Sequence, residues 1–451
     1  MDGPHPGVVL ALTLLLALSP VAALPIADAP LDAATASTDA SDAAGGVPFA
    51  DGTRTEASAR PPVTERNGST AYLTLGSGEV EATNVTAFGL DVGASVAVDD
   101  ARLRARYEQI RLVEAFESAS TPGERRVAVA LARERLGERI AELEARERRA
   151  LRAYNRGDIG PGAYLRELAA VDAGADALSP VIQRLYQYSQ SAEDSPVEPG
   201  DVAALKARLV GLSGPVRELA ARAMQGEASV ERVYVATSGS GVVLSAVVGE
   251  AFDRQYVREA YLPDERAAGA PDQFLREGQY QLEDAQDRAR DLYPWAFDNQ
   301  LAFSVGSRTG APFLYLAGVY SVTVDHRQGT PRNGDLITYI DGGTTEVFRE
   351  VQYLSVDDVP TAIPRTNTSG GLLLQVNRTY AGGPLEVSVR DSETNDLVSA
   401  TVYVDGERVG RTGSDGRLWT VTPRDPFVVE ATTGDGSVEV PITFPTGQFA
   451  D

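Results

Sequence analysis

Cysteine is absent from the 451-residue chain, and histidine and lysine are nearly so. Without cysteine the chain can form no disulfide, thiolate nucleophile, zinc knuckle or iron–sulfur cluster. The histidines are His5 and His326, and Lys206 is the single lysine against 40 arginines. The sequence also lacks an H-E-x-x-H motif, a Walker loop, a dinucleotide fingerprint, an EF-hand loop and a G-x-S-x-G elbow. We therefore predict no cofactor, no metal site and no catalytic residue.

Two catalytic alternatives stay open at this point. His326 lies between Asp325 and Arg327 at the end of a predicted strand, where an ordinary exposed histidine is a more economical interpretation than a Ser-His-Asp site. A carboxylate-dependent hydrolase has no local spacing rule, and 64 acidic residues offer many pairs. The sequence gives no reason to select one pair.

Basic residues are in the minority: the chain has 41 basic and 64 acidic residues, and its formal net charge is -23. Large aromatic side chains are few. This composition is typical of a halophile, whose net-negative surface stays solvated where salt screens charges over roughly 3 Å at 1 M. It argues against nucleic acid as a partner, because phosphate binding needs a basic surface and weakens with salt.

One long apolar run occurs, at the N-terminus. Val8–Leu18 is followed by small residues up to Ala23, the layout of a signal peptide cleaved after Ala23. The alternative is an uncleaved anchor, since residues 8–24 could barely span a bilayer. Residues 24–69 are rich in Ala, Asp, Ser and Thr and predict a disordered stalk. We therefore expect an exported protein, with possible membrane attachment only through residues 8–24.

Four of the eight asparagines begin an Asn-x-Ser/Thr sequon: Asn67, Asn84, Asn367 and Asn377. Sequons in an exported chain predict N-glycosylation at the surface.

Residues 99–225 form a charged but balanced stretch with 20 acids and 20 bases. Val129, Leu136, Leu143 and Ala150 recur at seven-residue spacing, with Glu142–Arg146 and Glu144–Arg148 as i, i+4 ion pairs. A preceding helix, capped by Asp99 or Asp100, is predicted to bury a further apolar stripe. Its members are Leu103, Tyr107, Ile110 and Val113. Breaks at Thr121-Pro122 and Gly160-Pro161 indicate an antiparallel hairpin or small bundle.

The charges of this bundle are best interpreted as a solvated, ion-paired face. The functional alternative is an arginine surface that docks acidic β modules of the same or a neighbouring chain. Arg156-Gly157-Asp158 has the letters of an adhesion tripeptide, but it falls where a turn needs Gly and Asp.

The middle of the chain is predicted to be α+β. Val230–Ala236 and Val242–Val248 form a hairpin, Gln273–Trp295 a helix, and Phe313–Tyr315, Tyr320–Asp325, Asp335–Asp341 and Thr345–Tyr353 strands. Tyr339-Ile340-Asp341 and Thr345-Glu346-Val347 resemble the last hairpin of the PepSY domain. That resemblance implies inhibition or chaperoning of a peptidase.

From Gly371 onward, short strands alternate with turns, as in a β-sandwich. The best are Leu385–Arg390, Ala400–Val404, Arg417–Thr422, Phe427–Thr432 and Ser437–Phe444. The segment resembles carboxypeptidase-regulatory-like and related Ig-like sandwiches at Asp391, Thr394, Ala400, Val402, Val404, Asp405-Gly406, Thr412 and Asp415-Gly416. We interpret the two Asp-Gly pairs as hairpin turns, with calcium binding as the alternative.

The N-terminal half resembles a group of haloarchaeal exported proteins, a likeness that carries no activity. It rests on Ala71-Tyr72-Leu73, Asp91-Val92-Gly93, Leu103, Arg106-Tyr107, Leu143–Arg148, Tyr154-Asn155 and Tyr164–Ala169.

The predicted fold class is therefore multidomain α + β: a helical bundle, an α+β region and an all-β sandwich. The predicted order is signal peptide 1–23, stalk 24–69, short strands 70–98, helical hairpin or bundle 99–228, PepSY-like region 229–358, linker 359–370 and Ig-like sandwich 371–451. We expect a non-enzymatic cell-surface binding or structural protein whose partner is an unknown protein or envelope component. The alternatives are a peptidase regulator and a carboxylate-dependent hydrolase.

Overall fold

Proline begins five of the seven α-helices that the computed structural model describes. At the first helical position its missing N–H would have no partner in any case, so the residue starts a helix without loss. The structure describes residues 63–66, 68–228, 232–249, 254–305, 317–325, 334–356 and 359–443. The helices are α1 Val92–Glu117, α2 Pro122–Asn155, α3 Pro161–Ser191, α4 Pro199–Leu209, α5 Pro215–Met224, α6 Leu282–Leu292 and α7 Pro294–Asp298.

The strands fall into one large sheet, two sheets of four strands and two short hairpins. They are β1 Val63–Thr64, β2 Tyr72–Leu73, β3 Ala82–Thr86, β4 Val233–Thr237, β5 Val242–Val248, β6 Gln255–Tyr261, β7 Leu275–Arg276, β8 Gln279–Tyr280, β9 Ala302–Val305, β10 Val319–Asp325, β11 Asp335–Asp341, β12 Val347–Ser355, β13 Arg365–Ser369, β14 Leu372–Arg378, β15 Pro384–Asp391, β16 Thr401–Val404, β17 Glu407–Arg411, β18 Arg417–Val421, β19 Phe427–Thr432 and β20 Ser437–Ile442.

The large sheet is antiparallel and has the order β3-β4-β5-β6-β12-β11-β10-β9. Both of its faces are covered. Along β4, Val233 and Val235 pack against the helices α1, α2, α3 and α5, whereas Tyr234 and Ala236 pack against α6, α7 and the β1–β2 hairpin. Because successive side chains of a strand point to opposite faces, a strand buried on both sides is apolar throughout. The sheet is thus the central layer between two sets of helices.

Two further cores complete the structure. Large aliphatic residues of α1 to α4 form a core of their own within the helical bundle, and the predicted heptad positions Val129, Leu136, Leu143 and Ala150 are all buried. The C-terminal residues form a sandwich of the sheets β13-β14-β15-β18 and β17-β16-β19-β20, whose facing apolar side chains make a closed core. The predicted multidomain α + β fold class is confirmed.

The first helix departs from its prediction in two respects. It begins at Val92 rather than after Asp99, because Asp91 is the N-cap and its Oδ1 accepts a hydrogen bond of 3.0 Å from the Ala94 N–H. The predicted stripe is also wrong, since Leu103, Tyr107 and Ile110 are exposed. The buried stripe consists mainly of smaller residues: Ala94, Val98, Ala101, Ala105, Leu112 and Phe116.

Small residues suit this position because α1 packs closely against its neighbours. Gly174 of α3 lies where the three helices meet. A Cβ at Gly174 would be 3.0 Å from Leu143 Cδ2 of α2 and 3.5 Å from Ala101 Cβ of α1. A close approach of three helices leaves no room for the larger side chains of α1. They therefore remain outside.

Three boundaries are also corrected. The predicted stalk ends in strand β1, which pairs with β2. The predicted short-strand segment 70–98 is not a separate unit, because its strand β3 pairs with β4 of the middle region. The predicted linker 359–370 contains β13, which pairs with β14 as an edge of the sandwich.

Other local predictions have mixed outcomes. The hairpin of β4 and β5 is confirmed, as are the breaks at Thr121-Pro122 and Gly160-Pro161, where α2 and α3 begin. The helix predicted over Gln273–Trp295 begins only at Leu282, because the residues before it form the β7–β8 hairpin. The members of the predicted ion pairs within α2 have other partners: Glu142 pairs with Arg139 of the same helix, Glu144 with Arg208 of α4 and Arg146 with Glu167 of α3. Phe313–Tyr315 and the signal peptide lie outside the described residues.

Candidate functional site

Helices α1 and α2 present an apolar outer face. Its large side chains are at least 46% exposed, and their spacing of three, four or seven residues keeps them on one side of each helix. They are Val92, Val96, Leu103, Tyr107 and Ile110 of α1, and Val127 and Leu131 of α2. Large apolar side chains that are exposed along one side of a helix mark an interaction surface. We call it the α1–α2 face.

A groove of about 570 Å³ lies along this face. Leu103 and Tyr107 supply its apolar wall, and the remaining lining residues are charged. These are Arg104, Glu108, Arg111, Arg135, Glu138, Arg139 and Glu142. A groove of this size and openness accommodates a side of a helix or an extended peptide.

The charges of the groove are mostly paired with each other. Glu108 of α1 accepts a hydrogen bond of 3.0 Å from Arg135 Nε of α2 and lies 3.6 Å from Arg111. Arg139 pairs with Glu142. The Arg111 guanidinium lies 5.5 Å from the Tyr107 ring centroid, within cation–π range. A groove in which paired charges surround exposed apolar groups can bind a partner surface that carries both positive and negative charges.

A second cluster of charges is buried where the helices meet the sheet. Arg217 of α5 is fully buried; its Nε donates to Glu259 Oε1 of β6 at 3.0 Å, and its Nη2 lies 2.8 Å from Glu147 Oε1 of α2. Arg349 of β12 lies 3.9 Å from Glu259 and donates to the Ser213 carbonyl oxygen. Burial opposes the charge of Arg217, but Glu147 and Glu259 outweigh burial and raise the pKa of Arg217. The cluster ties α2, α5, β6 and β12 together.

The opposite face of the sheet carries a matching pair. Arg258 Nη1 donates to Glu350 Oε1 at 2.8 Å, and Glu350 Oε2 accepts from the Tyr293 hydroxyl and the Leu73 N–H, both at 2.7 Å. Arg258 and Glu259 are neighbours on β6, as Arg349 and Glu350 are on β12, so each dipeptide sends one charge to each face. Burial raises the pKa of Glu350 against the opposing effect of Arg258.

Sequence reasoning missed these pairs, although a signal was present. Both strands, QYVREAY and VFREVQYLS, hold an Arg-Glu dipeptide within an apolar run. Charges at the centre of a strand that is otherwise apolar on both faces are buried, and buried charges must be paired. The Arg217 cluster connects helices α2 and α5 to the sheet.

Asp172 of α3 is a further buried acid. Its Oδ1 accepts a hydrogen bond of 2.8 Å from the Gly214 N–H. Burial raises its pKa well above the ordinary value, and Asp176 adds to the effect.

The described sequons differ in accessibility. Asn84 is exposed on β3, the edge strand of the large sheet, whereas Asn377 is half-buried and its Nδ2 donates to Glu386 Oε2 at 2.7 Å. Asn367 is exposed on β13, and its Nδ2 donates to the Glu439 carbonyl oxygen at 2.8 Å. Asn67 and His326 lie outside the described residues.

The adhesion-like tripeptide forms the turn between α2 and α3. Gly157 has φ +75°, and Arg156 Nη2 donates to Asp158 Oδ2 at 2.6 Å. The two charges therefore bind each other across the turn. This geometry fits the interpretation as a turn.

The two Asp-Gly pairs also lie in turns. Asp405 Oδ1 accepts from the Val428 N–H at 2.9 Å, and Asp415 Oδ1 accepts from the Arg417 N–H at 3.1 Å. Within the described ranges, no group of three or more His, Asp or Glu side chains is arranged to hold a metal ion. Of the helices that the structure describes, none has the length and apolarity needed to cross a bilayer.

Comparison with protein families divides the chain into three matches. Residues 1–229, just over half of the chain, match the model described as "Domain of unknown function (DUF7096)". The chain belongs to the DUF7096 family. Residues 233–360 match a "Family of unknown function (DUF7094)", and residues 364–440 match an archaeal fibronectin-III type-like domain. No curated protein and no solved structure matches the chain.

The C-terminal match confirms that the sandwich is an Ig-like domain of an archaeal type. The DUF7096 match covers the helical module, but it carries no activity. The haloarchaeal and PepSY likenesses stay predictions. Strand β3 lies in the DUF7096 region and β4 in the DUF7094 region, so one sheet is built from two families.

Proposed function

We propose that the chain is an exported binding or structural protein of the cell surface of a haloarchaeon, and that the α1–α2 face is its binding surface. The observation that supports the proposal best is the exposure of seven large apolar side chains on α1 and α2, two of which, Leu103 and Tyr107, line the groove. An acidic chain with few aromatic residues gains nothing in solubility from such a face. A partner that covers this face explains why its apolar side chains are exposed.

The charge distribution supports the same surface. Residues 99–225 are balanced at 20 acids and 20 bases, so the excess of 23 negative charges lies in the flanks. A partner approaching the helices meets both signs, whereas one approaching the other modules meets a net negative surface. The fibronectin-III-like sandwich, a fold widespread in cell-surface proteins, fits a surface location.

The peptidase-regulator alternative is less well supported. The hairpin that resembles PepSY consists of β11 and β12, which are interior strands of the large sheet and are buried along most of their length. A partner could reach it only at its turn. The hydrolase alternative has no poised carboxylate pair in the groove, since Glu108 and Glu142 are already ion-paired.

The proposal is tested by location and by binding. Mass spectrometry of fractionated cells is expected to find the chain with the envelope, beginning after Ala23 or retaining residues 8–24. In multi-molar salt, the purified chain is expected to bind isolated envelopes. Leu103→Glu and Leu131→Glu should weaken that binding at least about ten-fold, which corresponds to about 1.4 kcal/mol.

Ile363→Glu is the matched control, because Ile363 is 87% exposed outside the α1–α2 face. It is expected to bind like the unchanged chain. Equal binding by all three variants, or a purely cytoplasmic chain with Met1 to Ala23 intact, would overturn the proposal.

A further inference from the structure

Three of the five exposed apolar residues of α1 are arranged symmetrically about Leu103. Val96 and Ile110 lie seven residues before and after it. Val96 is 64% exposed, Leu103 67% and Ile110 46%. A seven-residue repeat keeps side chains on one seam when two helices pack along each other. The seam is therefore self-complementary in an antiparallel pair centred on Leu103.

The charges of α1 fit the same arrangement. In an antiparallel pair centred on Leu103, Asp100 of one helix lies opposite Arg106 of the other, and Asp99 lies opposite Tyr107. Arg102 and Arg104 lie about 100° to either side of Leu103 on the helix and so flank the seam rather than line it. Arg104 pairs with Asp100 of its own helix at 2.8 Å, so Asp100 would lie between that Arg104 and Arg106 of the second copy. Within the part of the chain that the structure describes, Arg106 has no ion-pair partner.

A parallel pair has no such agreement. It would set Asp100 against Asp100 and Arg106 against Arg106, and like charges at an interface disfavour the pairing. A partner with the same sequence also meets no net charge along this stretch, since residues 99–225 are neutral as a whole. The rest of the surface, which carries the net charge of -23, would repel a second copy.

We propose that the partner of the α1–α2 face is a second copy of this chain, bound through α1 in an antiparallel pair about a two-fold axis at Leu103. The proposal rests on the α1–α2 face as the binding surface and names its occupant. The interface is isologous: the same patch is used by both copies, and the axis brings Leu103 against Leu103. The helix of 26 residues extends over about 39 Å, which is long enough for several turns of contact.

Analytical ultracentrifugation of the full chain in multi-molar salt tests the association. We expect a species of twice the single-chain mass that dissociates on dilution. Leu103→Glu should raise the dissociation constant at least about ten-fold, because the axis places the two new charges together, and Ile363→Glu should leave it unchanged. A chain that is monomeric at every concentration overturns the proposal.

Charge reversal tests the register. Asp100→Arg and Arg106→Asp should each weaken the dimer, and the double variant should restore it because the opposed pair is re-formed with its signs exchanged. Failure of the double variant to recover any association, with circular dichroism showing an intact fold, excludes this register.

The absence of cysteine makes a cross-linking test clean. With a short bifunctional thiol reagent, Leu103→Cys should cross-link to itself, and a mixture of Val96→Cys and Ile110→Cys should give a mixed dimer. Val96→Cys alone should not cross-link, whereas in a parallel pair it would.

The two proposals fail in different ways. If the chain is monomeric and Leu103→Glu abolishes its envelope binding, the second copy is excluded as the partner and the α1–α2 face stands as a binding surface. If the chain is dimeric and the substitution leaves its envelope binding unchanged, the second copy stands as the partner and the envelope is excluded as a partner of this face.

Discussion

Arg217 is a fully buried charged residue. It lies between Glu147 and Glu259, and its Nη1 also donates to the Leu212 carbonyl oxygen at 3.0 Å. An ion pair of this kind adds little net stability over an apolar replacement of the whole set, because desolvation offsets the attraction. Removing one member is different, since the remaining charges stay buried without a partner.

Arg217→Met is therefore expected to lower the free energy of unfolding by about 3–5 kcal/mol, measured by urea unfolding in high salt. Arg208→Met is the matched control. Arg208 binds Glu144 through two hydrogen bonds of 2.8 and 2.9 Å, but both side chains are partly exposed. Its loss should cost only about 0–1 kcal/mol. Equal losses in the two variants would contradict the assignment of Arg217 as a buried tie.

Asp172 should make stability depend on pH. Because its pKa is raised in the folded state, its contribution is complete below its unfolded value and is lost as the pH rises through the folded value. Asp172→Asn keeps an acceptor for the Gly214 N–H but does not titrate. The variant and the unchanged chain should be similarly stable near pH 4, and the variant should gain about 1.4 kcal/mol for each pH unit up to the folded pKa.

Thermal unfolding from acid to neutral pH measures this difference. Asp158→Asn, on the exposed α2–α3 turn, should show little change over the same range. A difference between Asp172→Asn and the unchanged chain that is constant with pH would contradict the raised pKa.

Asn84 is the expected glycosylation site among the described sequons. Its side chain is exposed on an edge strand, whereas the amides of Asn367 and Asn377 donate hydrogen bonds to the Glu439 carbonyl oxygen and to Glu386. Glycopeptide mass spectrometry of the protein recovered from cells should find modification at Asn84 and little at Asn377. The reverse pattern would show that accessibility in the folded chain does not decide occupancy.

At the scale of elements, the contact between α5 and the sheet depends on the absence of a side chain. Gly214 precedes α5, and a Cβ at this position would overlap Glu259 Oε2 and Arg349 Nη2. Its backbone is extended, with φ -179°, so space rather than conformation requires glycine here.

Gly214→Ala should consequently lower the free energy of unfolding by about 1–3 kcal/mol through overpacking. Gly200→Ala is the control, because a Cβ at Gly200 in the first turn of α4 has no heavy atom within 4 Å. That change should be neutral or stabilise by about 0.4–1 kcal/mol. Thermal unfolding compares the two, and an unaffected Gly214→Ala variant would mean that α5 can move away from the sheet without loss.

Helices α1 and α2 show what the sequence can and cannot predict. The heptad of α2 was predicted correctly because its buried positions, Val129, Leu136, Leu143 and Ala150, are apolar and recur at a regular spacing. The seam of α1 was assigned to the wrong side, because hydropathy favours Leu103 and Ile110 over the alanines that in fact face α3. Burial by close approach depends on the neighbouring helix, which the local pattern does not contain.

The candidate site follows from the same error. Three residues of the α1–α2 face, Leu103, Tyr107 and Ile110, were predicted from the sequence, but as core rather than as surface. Helix α3 packs against the alanine-containing side of α1, and this packing leaves Leu103 and Tyr107 exposed. The pairing of β3 with β4 was likewise invisible, because 146 residues separate Thr86 from Val233 and nothing local specifies the register.

At the scale of the molecule, residues 60–451 form one compact unit although three family matches divide them. The large sheet crosses the first boundary through β3. The helices of the DUF7096 region cover one face of strands that belong to the DUF7094 region. Family boundaries and folding boundaries therefore differ here.

A fragment of residues 233–360 should not fold by itself. It would lack β3 and the helices that cover Val235, Leu244 and Val257, and a sheet with one bare apolar face aggregates or remains loosely packed. A fragment of residues 360–443 should fold, because its two sheets enclose a separate core. Near-ultraviolet circular dichroism and dye binding distinguish the two states. Cooperative unfolding of the 233–360 fragment would mean that the DUF7094 region folds alone, and that the helices only dock on a sheet that is already formed.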